Sequence, residues 1–295
     1  MVKNEIWQLV GEHTCQLGES PIWDAVNERI LWVDILNGEV HQYGSKNGFY
    51  KIFRANSMIG AIALCKSGLL IAATQNGFAK IDLEKETLVE IVDPEEHLKN
   101  NRFNDGKCDP AGRFWSGTMA VLDTPEAGSL YALEPDFSVS VKIQRVGCSN
   151  GIAWSPDGNL MYYIDTPTRQ VVAFDFNIIT GGISNKRVIV DISQIDGYPD
   201  GMTVDSEGML WIALWGGWKI ARYNPISGKM IHSIRLPISN ISSCIFGGKN
   251  LQDLYITTAK IGLSLDEIEK QPLAGRLFVI KNTGFQGLHM AKFND

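Results

Sequence analysis

The sequence predicts an all-β fold: a six-bladed β-propeller with four-stranded blades around a central channel. Three observations carry that expectation. One theme recurs six times, a short strand, a Gly-containing turn, then an apolar strand with an aromatic or aliphatic anchor near its centre. The spacing between repeats is that of a four-stranded blade. Helical periodicity is confined to 94–101 and 264–270, and the strand–helix alternation of a parallel α/β sheet is missing.

The units read ESPIWDAVNERILWVD from Glu19, GAIALCKSGLLIAA from Gly60 and NDGKCDPAGRFWSG from Asn104. They continue as NGIAWSPDGNLMYYID from Asn150, DGMTVDSEGMLWIA from Asp200 and SCIFGGKNLQDLYIT from Ser243. Aligned on the second strand, the anchors are Trp32, Ile71, Trp115, Tyr162, Trp211 and Tyr255, at steps of 39, 44, 47, 49 and 44 residues. A second hairpin follows, ending in patterns such as GEVHQY, GSLYAL, RQVVAF, WKIARY or GRLFVI. Six such units use the 295 residues with little left over, so 1–295 reads as one domain. The segment Glu5–Val10 lies outside the six cores. It is expected to add an outer strand to the last blade, closing a ring that would otherwise expose sheet edges.

Composition excludes several classes. The chain is 44% hydrophobic and 20% charged, which fits neither a disordered nor a fibrous protein. Lys plus Arg number 27 against 33 Asp plus Glu, and the net charge of −6 argues against a nucleic-acid partner. No apolar run reaches the ~18 residues of a membrane span, so no membrane role is expected. The start, Met1-Val2-Lys3-Asn4-Glu5, leads into no apolar signal core, and a cytoplasmic location is expected. The cysteines at 15, 65, 108, 148 and 244 are odd in number with no C-x-x-C pair. They read as reduced thiols, forming neither a disulfide framework nor a zinc cluster.

Superposing the units places Glu19, Gly60, Asn104, Asn150, Asp200 and Ser243 at the start of the innermost strands, as a ring around the axis. Two carboxylates and two amides in that ring would be costly in a packed core. The plain structural alternative, Asx-turn residues at strand starts, explains any one of them more easily than all four. Glycines beside them, at 106, 151 and 201, would allow close backbone approach at the rim. Glu19, Asn150 and Asp200 supply only oxygen ligands, which suits hard divalent ions such as Ca²⁺, Mg²⁺ or Mn²⁺. Three protein ligands would leave positions for water and substrate, as in a catalytic metal site. Arg102, Asn104 and Asp105 stand on the same rim, able to hydrogen-bond a polyhydroxylated ligand. Trp23, Trp154, Trp215 and Trp218 are candidate apolar walls.

Other patterns read as structure. Gly147-Cys148-Ser149-Asn150-Gly151 matches G-x-S-x-G, but a strand follows it where a nucleophile elbow needs a helix. The histidines (13, 41, 97, 232, 289) fall at none of the ring positions, which leaves a Ser–His–Asp or His-zinc site without support. Asp109, Asp157, Asp205 and Glu207 occupy tight-turn slots.

At these residues the chain resembles the gluconolactonase/regucalcin (senescence marker protein) family, which also includes luciferin-regenerating proteins. The matching segments are LGESPIWD (17–24), RFNDGKCDPAGRFWSGTM (102–119), SNGIAWSPDG (149–158) and PDGMTVDSEGMLWIA (199–213). The resemblance implies a six-bladed propeller that hydrolyses sugar lactones with one divalent metal at the channel mouth. It implies Glu19, Asn150 and Asp200 as metal ligands, and Arg102, Asn104 and Asp105 as substrate contacts. Water would attack a metal-polarised lactone carbonyl, with Asp200 as general base. The ion is left open among Ca²⁺, Zn²⁺, Mn²⁺, Mg²⁺ and Fe²⁺, and the sugar, ring size and oligomeric state are not set. Where similar proteins carry acidic residues after G-T-M-A, this chain has Val121-Leu122 and then Asp123, so residues 121–128 bear on which sugar fits. Two other readings stay open: a promiscuous metal-dependent esterase or phosphotriesterase, and a non-catalytic calcium-binding propeller.

Overall fold

Each of the six repeats folds as a four-stranded antiparallel sheet in which sequence neighbours pair. The computed structural model describes residues 7–122 and 124–295. The innermost strands are Gly18–Asp24, Ile59–Leu64, Asn101–Cys108, Ser149–Trp154, Tyr198–Val204 and Ile241–Gly247, which define blades 1 to 6 in that order. All six anchors lie on second strands, the buried middle of each blade. Blade 6 is completed from the other end of the chain. Gln8–Val10 pairs antiparallel with Leu277–Ile280 as the outermost strand. Ring closure by the N-terminal segment is therefore as expected, with Glu5 and Ile6 outside the described residues. Of the two helical candidates, Leu265–Lys270 forms a helix, started by a capping box between Ser264 and Glu267. Residues 94–97 form turns. Among the described residues no helix is long and apolar enough to cross a membrane.

The blades are held together by apolar contacts between sheet faces. Trp115, Trp154 and Phe176 join blades 3 and 4 edge to face, with centroids about 6 Å apart. Trp211 stands edge-on to Phe246 of blade 6 and Phe285 of the C-terminal segment. The acidic turn residues behave as turn-formers. Asp205 Oδ1 accepts the backbone N–H of Glu207 and Met209, while Oδ2 accepts Trp211 Nε1 at 2.8 Å and Arg222 Nε at 2.7 Å. Asp109 does the same with Trp115 and Arg113.

Beyond residue 284 the chain runs across the face that carries these turns. It pairs at Gly287 with Asp205 and at Phe293 with Cys65, and Asn294 donates to Ala111 O at 2.7 Å. This strap covers one end of the channel. Beneath it lies a cavity of about 370 Å³ lined by Lys107, Ala153, Trp154, Thr203, Leu288 and Met290. That lining holds no carboxylate. The polar chemistry lies at the opposite end, where the innermost strands begin.

Candidate metal centre at the channel mouth

In all six blades the innermost strand carries a one-residue register shift at the ring level: Glu19/Ile22, Ile59/Ala61, Phe103/Gly106, Asn150/Ile152, Pro199/Met202 and Ile241/Ser243. A bulge bends the strand and re-aims a side chain, so each blade turns one residue toward the axis. The registers refine the repeat alignment. They put Leu31, not Trp32, at the anchor level of blade 1, and Ser242, not Ser243, at the ring level of blade 6. The turns between first and second strands differ in length, which sequence alignment on the aromatic could not see. Glycines next to the ring do permit close approach. A Cβ on Gly151 would sit 2.7 Å from Asp200 O, and one on Gly60 would collide with the carbonyls of Phe103 and Asn104.

Glu19, Asn104, Asn150 and Asp200 all come to the mouth and are all buried, as are Arg102 and Asp105. A directed hydrogen-bond chain orders them. Arg102 Nη1 donates to Phe103 O at 2.9 Å and to Asn104 Oδ1 at 2.7 Å. Asn104 Nδ2 donates to Ser149 O at 2.9 Å and to Asn150 Oδ1 at 3.2 Å. Asn150 Nδ2 donates to Thr166 Oγ1 at 2.9 Å, because the Thr166 hydroxyl proton is already given to Pro199 O at 2.8 Å. These donors and acceptors fix which way the Asn150 amide faces, with its oxygen on the Asn104 side. Glu19 Oε2 accepts its neighbour Ser20 N at 2.9 Å, and Asp105 Oδ1 accepts Gly106 N at 2.7 Å.

The electrostatics are those of an anionic pit. Burial, then repulsion from Asp105, pushes the Glu19 carboxyl up to about 8. Burial, then the charges of Glu19 and Asp105, holds Asp200 well above the usual carboxylate range, and burial raises Asp105 as well. Burial also lowers Arg102. Lys107, on the same strand as Asp105, donates to Met202 O at 2.8 Å, and burial lowers its ammonium too. Three buried carboxylates with oriented amide oxygen beside them fit a divalent cation, which would favour their ionised forms. Glu19, Asn150 and Asp200 would hold it, with Arg102 and Asn104 alongside.

Sequence reasoning missed Thr166, which carries no motif, and the part of the Ser149 carbonyl in orienting Asn104. It also missed Lys107, although a lysine stood out where other blades have Ala63, Ala153 and Thr203 at the same level. Trp23 and Trp154 do not wall this site. They lie toward the strap end, Trp23 stacked on Tyr255 and Trp154 packed against Trp115. Trp215 ends the second strand of blade 5 and Trp218 lies in the turn after it, both at the mouth end. Ser149 opens a strand and accepts Tyr163 OH at 2.9 Å, which is not the geometry of a nucleophile elbow. Val121 and Leu122 are exposed, and Asp123 lies outside the described residues.

Residues 17–260 match the family described as the SMP-30/gluconolactonase/LRE-like region. The chain belongs to this family. It is 37% identical to human regucalcin over 279 residues, covering 93% of each chain. It is 40% identical over 278 residues to Bacillus subtilis YvrE, named as a sugar lactone lactonase, covering 93% of this chain and 95% of the relative. Among solved structures, a luciferin-regenerating enzyme superposes with a TM-score of 0.93 at 30% identity, over 98% of this chain and 99% of that one. A regucalcin from Agrobacterium tumefaciens, described as a calcium-binding protein, also gives 0.93 at 27% identity, over 97% of each chain. Membership accounts for the six-bladed ring.

Proposed function

We propose that the protein is a hydrolase that opens sugar lactones to aldonic acids at the channel mouth with one divalent metal. The observation that carries this reading is the directed chain from Arg102 through Asn104 and Asn150 to Thr166. It turns an amide oxygen toward the mouth where the Glu19 and Asp200 carboxylates also gather. A family relative named as a sugar lactone lactonase supports the substrate class.

Glu19, Asn150 and Asp200 would hold a divalent ion, whose positive charge would polarise a carbonyl and keep the carboxylates ionised. The remaining steps belong to the protein. Asp200, in its carboxylate form, takes a proton from water as the water oxygen bonds to the lactone carbonyl carbon. When the ring C–O bond breaks, the same group returns that proton to the departing ring oxygen, leaving acid and alcohol on one open chain. Arg102 spends Nη1 inside the protein, and among the described residues its remaining guanidinium N–H groups are free for sugar hydroxyls. Asn104 has both amide N–H groups committed to Ser149 and Asn150. It acts chiefly by holding Arg102 and Asn150, with Oδ1 also able to accept from substrate. Asp105 completes the polar wall. Buried polar groups of this kind discriminate sharply against substrates lacking the matching hydroxyl.

Proton release at constant pH on a panel of aldonolactones tests the reading. Chelator-stripped protein is compared with protein given Ca²⁺, Mg²⁺, Mn²⁺, Zn²⁺ or Fe²⁺, subtracting spontaneous hydrolysis. Metal-restored turnover is expected. Faster turnover of aryl esters or phosphotriesters would move the assignment to the esterase reading. Tight metal binding without turnover of any ester would move it to a calcium-binding propeller.

A further inference from the structure

Outside the channel, at the seam between blades 1 and 6, four metal-binding side chains converge. His13 and Cys15 come from the segment leading into blade 1, and Cys15 N is tied to Gly275 O at 2.8 Å. Glu39 and His41 come from the third strand of that blade, Glu39–Gly44. Each pair is spaced i, i+2, which places both members on one side of an extended chain. We propose that His13 Nε2, Cys15 Sγ, Glu39 Oε2 and His41 Nε2 form a second metal site, closed and structural, that takes a borderline-soft divalent ion such as Zn²⁺.

His13, Cys15 and His41 make up one mutual cluster, and Glu39 reaches both imidazoles. Glu39 Oε2 lies 3.4 Å from His13 Nε2 and 3.3 Å from His41 Nε2, and Cys15 Sγ lies 3.9 Å from His41 Nε2. The His13, Cys15 and His41 ligand atoms all lie within 4.8 Å of one another. Tetrahedral zinc, with bonds of about 2.0–2.1 Å to N and O and about 2.3 Å to S, sets N···O edges near ~3.3 Å and N···S edges near ~3.6 Å. Two of the atoms that would bind, His13 Nε2 and Glu39 Oε2, are buried with no hydrogen-bond partner among the described residues. Glu39 and His41 are themselves buried.

The groups behind the ligands orient them as outer partners of a metal do. His41 Nδ1 meets Tyr50 OH at 2.7 Å, leaving Nε2 for the ion. Arg54 Nε donates to Glu39 Oε1 at 2.9 Å, leaving Oε2. Trp32 Nε1 points at Cys15 Sγ from 3.4 Å, a donor suited to a thiolate. Asp34 is nearby, but its oxygens are taken by Gln16 N, Leu17 N and Asn37 Nδ2. Imidazole and thiolate select against Ca²⁺ and Mg²⁺, so this site and the oxygen-lined mouth would sort different ions. On binding, the Cys15 S–H bond breaks, a metal–sulfur bond forms and the proton goes to solvent. The proposal departs from the reading of the sequence, in which the cysteines form no zinc cluster and a His-zinc site lacks support.

Co²⁺ titration of the chelator-stripped full-length protein, with the mouth saturated by Ca²⁺, tests it. One equivalent of Co²⁺ is expected to give a thiolate-to-metal charge-transfer band, removed by one equivalent of Zn²⁺. Cys15→Ser should abolish the band, while Cys148→Ser and Asp200→Asn should retain it. His13→Asn, at a partly buried residue, should weaken Co²⁺ binding at least tenfold and leave the metal-free Tm unchanged. No charge-transfer band in folded wild type would overturn the proposal. So would an undiminished band in folded Cys15→Ser, or unchanged Co²⁺ affinity in His13→Asn.

Discussion

Replacing Thr166 by valine keeps the branched shape of the side chain and removes its hydroxyl. In the structure that hydroxyl accepts from Asn150 Nδ2 at 2.9 Å and donates to Pro199 O at 2.8 Å. Without it, only the weak acceptor Cys148 Sγ, 3.6 Å from Nδ2, is left to distinguish the two ends of the Asn150 amide on that side. A flip would exchange oxygen for NH₂ toward the proposed ion, and the Asn104 N–H would face another donor. Outer partners of this kind change metal affinity by about 10–100-fold, or roughly 1.4–2.7 kcal/mol. The loss of one buried hydrogen-bond partner should lower stability by about 1–3 kcal/mol. Isothermal titration of the stripped variant with the metal that best restores turnover gives the affinity, and thermal melts give the stability. At saturating metal most of kcat should return, because no group facing the substrate has been removed. Wild-type affinity in Thr166→Val would refute the argument that this chain of hydrogen bonds orients Asn150 for a metal.

Asp200→Asn should lower kcat by about 10²–10⁴-fold, the range for a lost general base, while the circular dichroism spectrum stays native; full lactonase activity would end the assignment. The metal-stripped protein should lose stability as pH rises. Burial raises the folded-state Glu19 pKa from 4.5 to about 8, so the folded state holds a proton that the unfolded chain has released. Its contribution is full below about pH 4.5 and is lost on rising through about 8. Tm of stripped protein should therefore fall across that interval, and Glu19→Gln should flatten the fall; a flat wild-type profile would contradict it. Phe293→Ala, in the strap, should cost about 3–5 kcal/mol in denaturant unfolding and leave kcat near wild type, because Phe293 is fully buried at the end away from the mouth. A large fall in kcat with stability intact would mean that the strap end takes part in catalysis.

The propeller was legible because each blade must bury the middle strand of its sheet. That requirement spaces Ile71, Trp115, Tyr162 and Trp211 at repeat distances whatever the loops do. The ring of polar residues was legible for a related reason: Glu19, Asn104, Asn150 and Asp200 recur at one level of the inner strands. What escaped depends on contacts between blades and on turns. Asn104 reaches Ser149 across 45 residues, and Thr166 sits in a short 3₁₀ turn with no pattern of its own. The four tryptophans looked equivalent in sequence, yet strand direction alone sends Trp23 and Trp154 to the strap end. The His13–Cys15 and Glu39–His41 pairs each show the same-side spacing, but only the fold brings the two pairs together.

Ring closure makes the order of synthesis matter. Blade 6 needs residues 8–10 and 277–280 together, so its outer strand pair cannot form until residue 280 has left the ribosome. Until then Gln8–Val10 waits without its partner, and blades 1 to 5 form an open arc with an uncovered apolar face. A nascent chain stalled late in translation is thus more exposed to aggregation than one stalled after a single blade, because more finished surface depends on the missing piece. The same dependence makes the released ring cooperative, since pulling either end from blade 6 opens the whole circle.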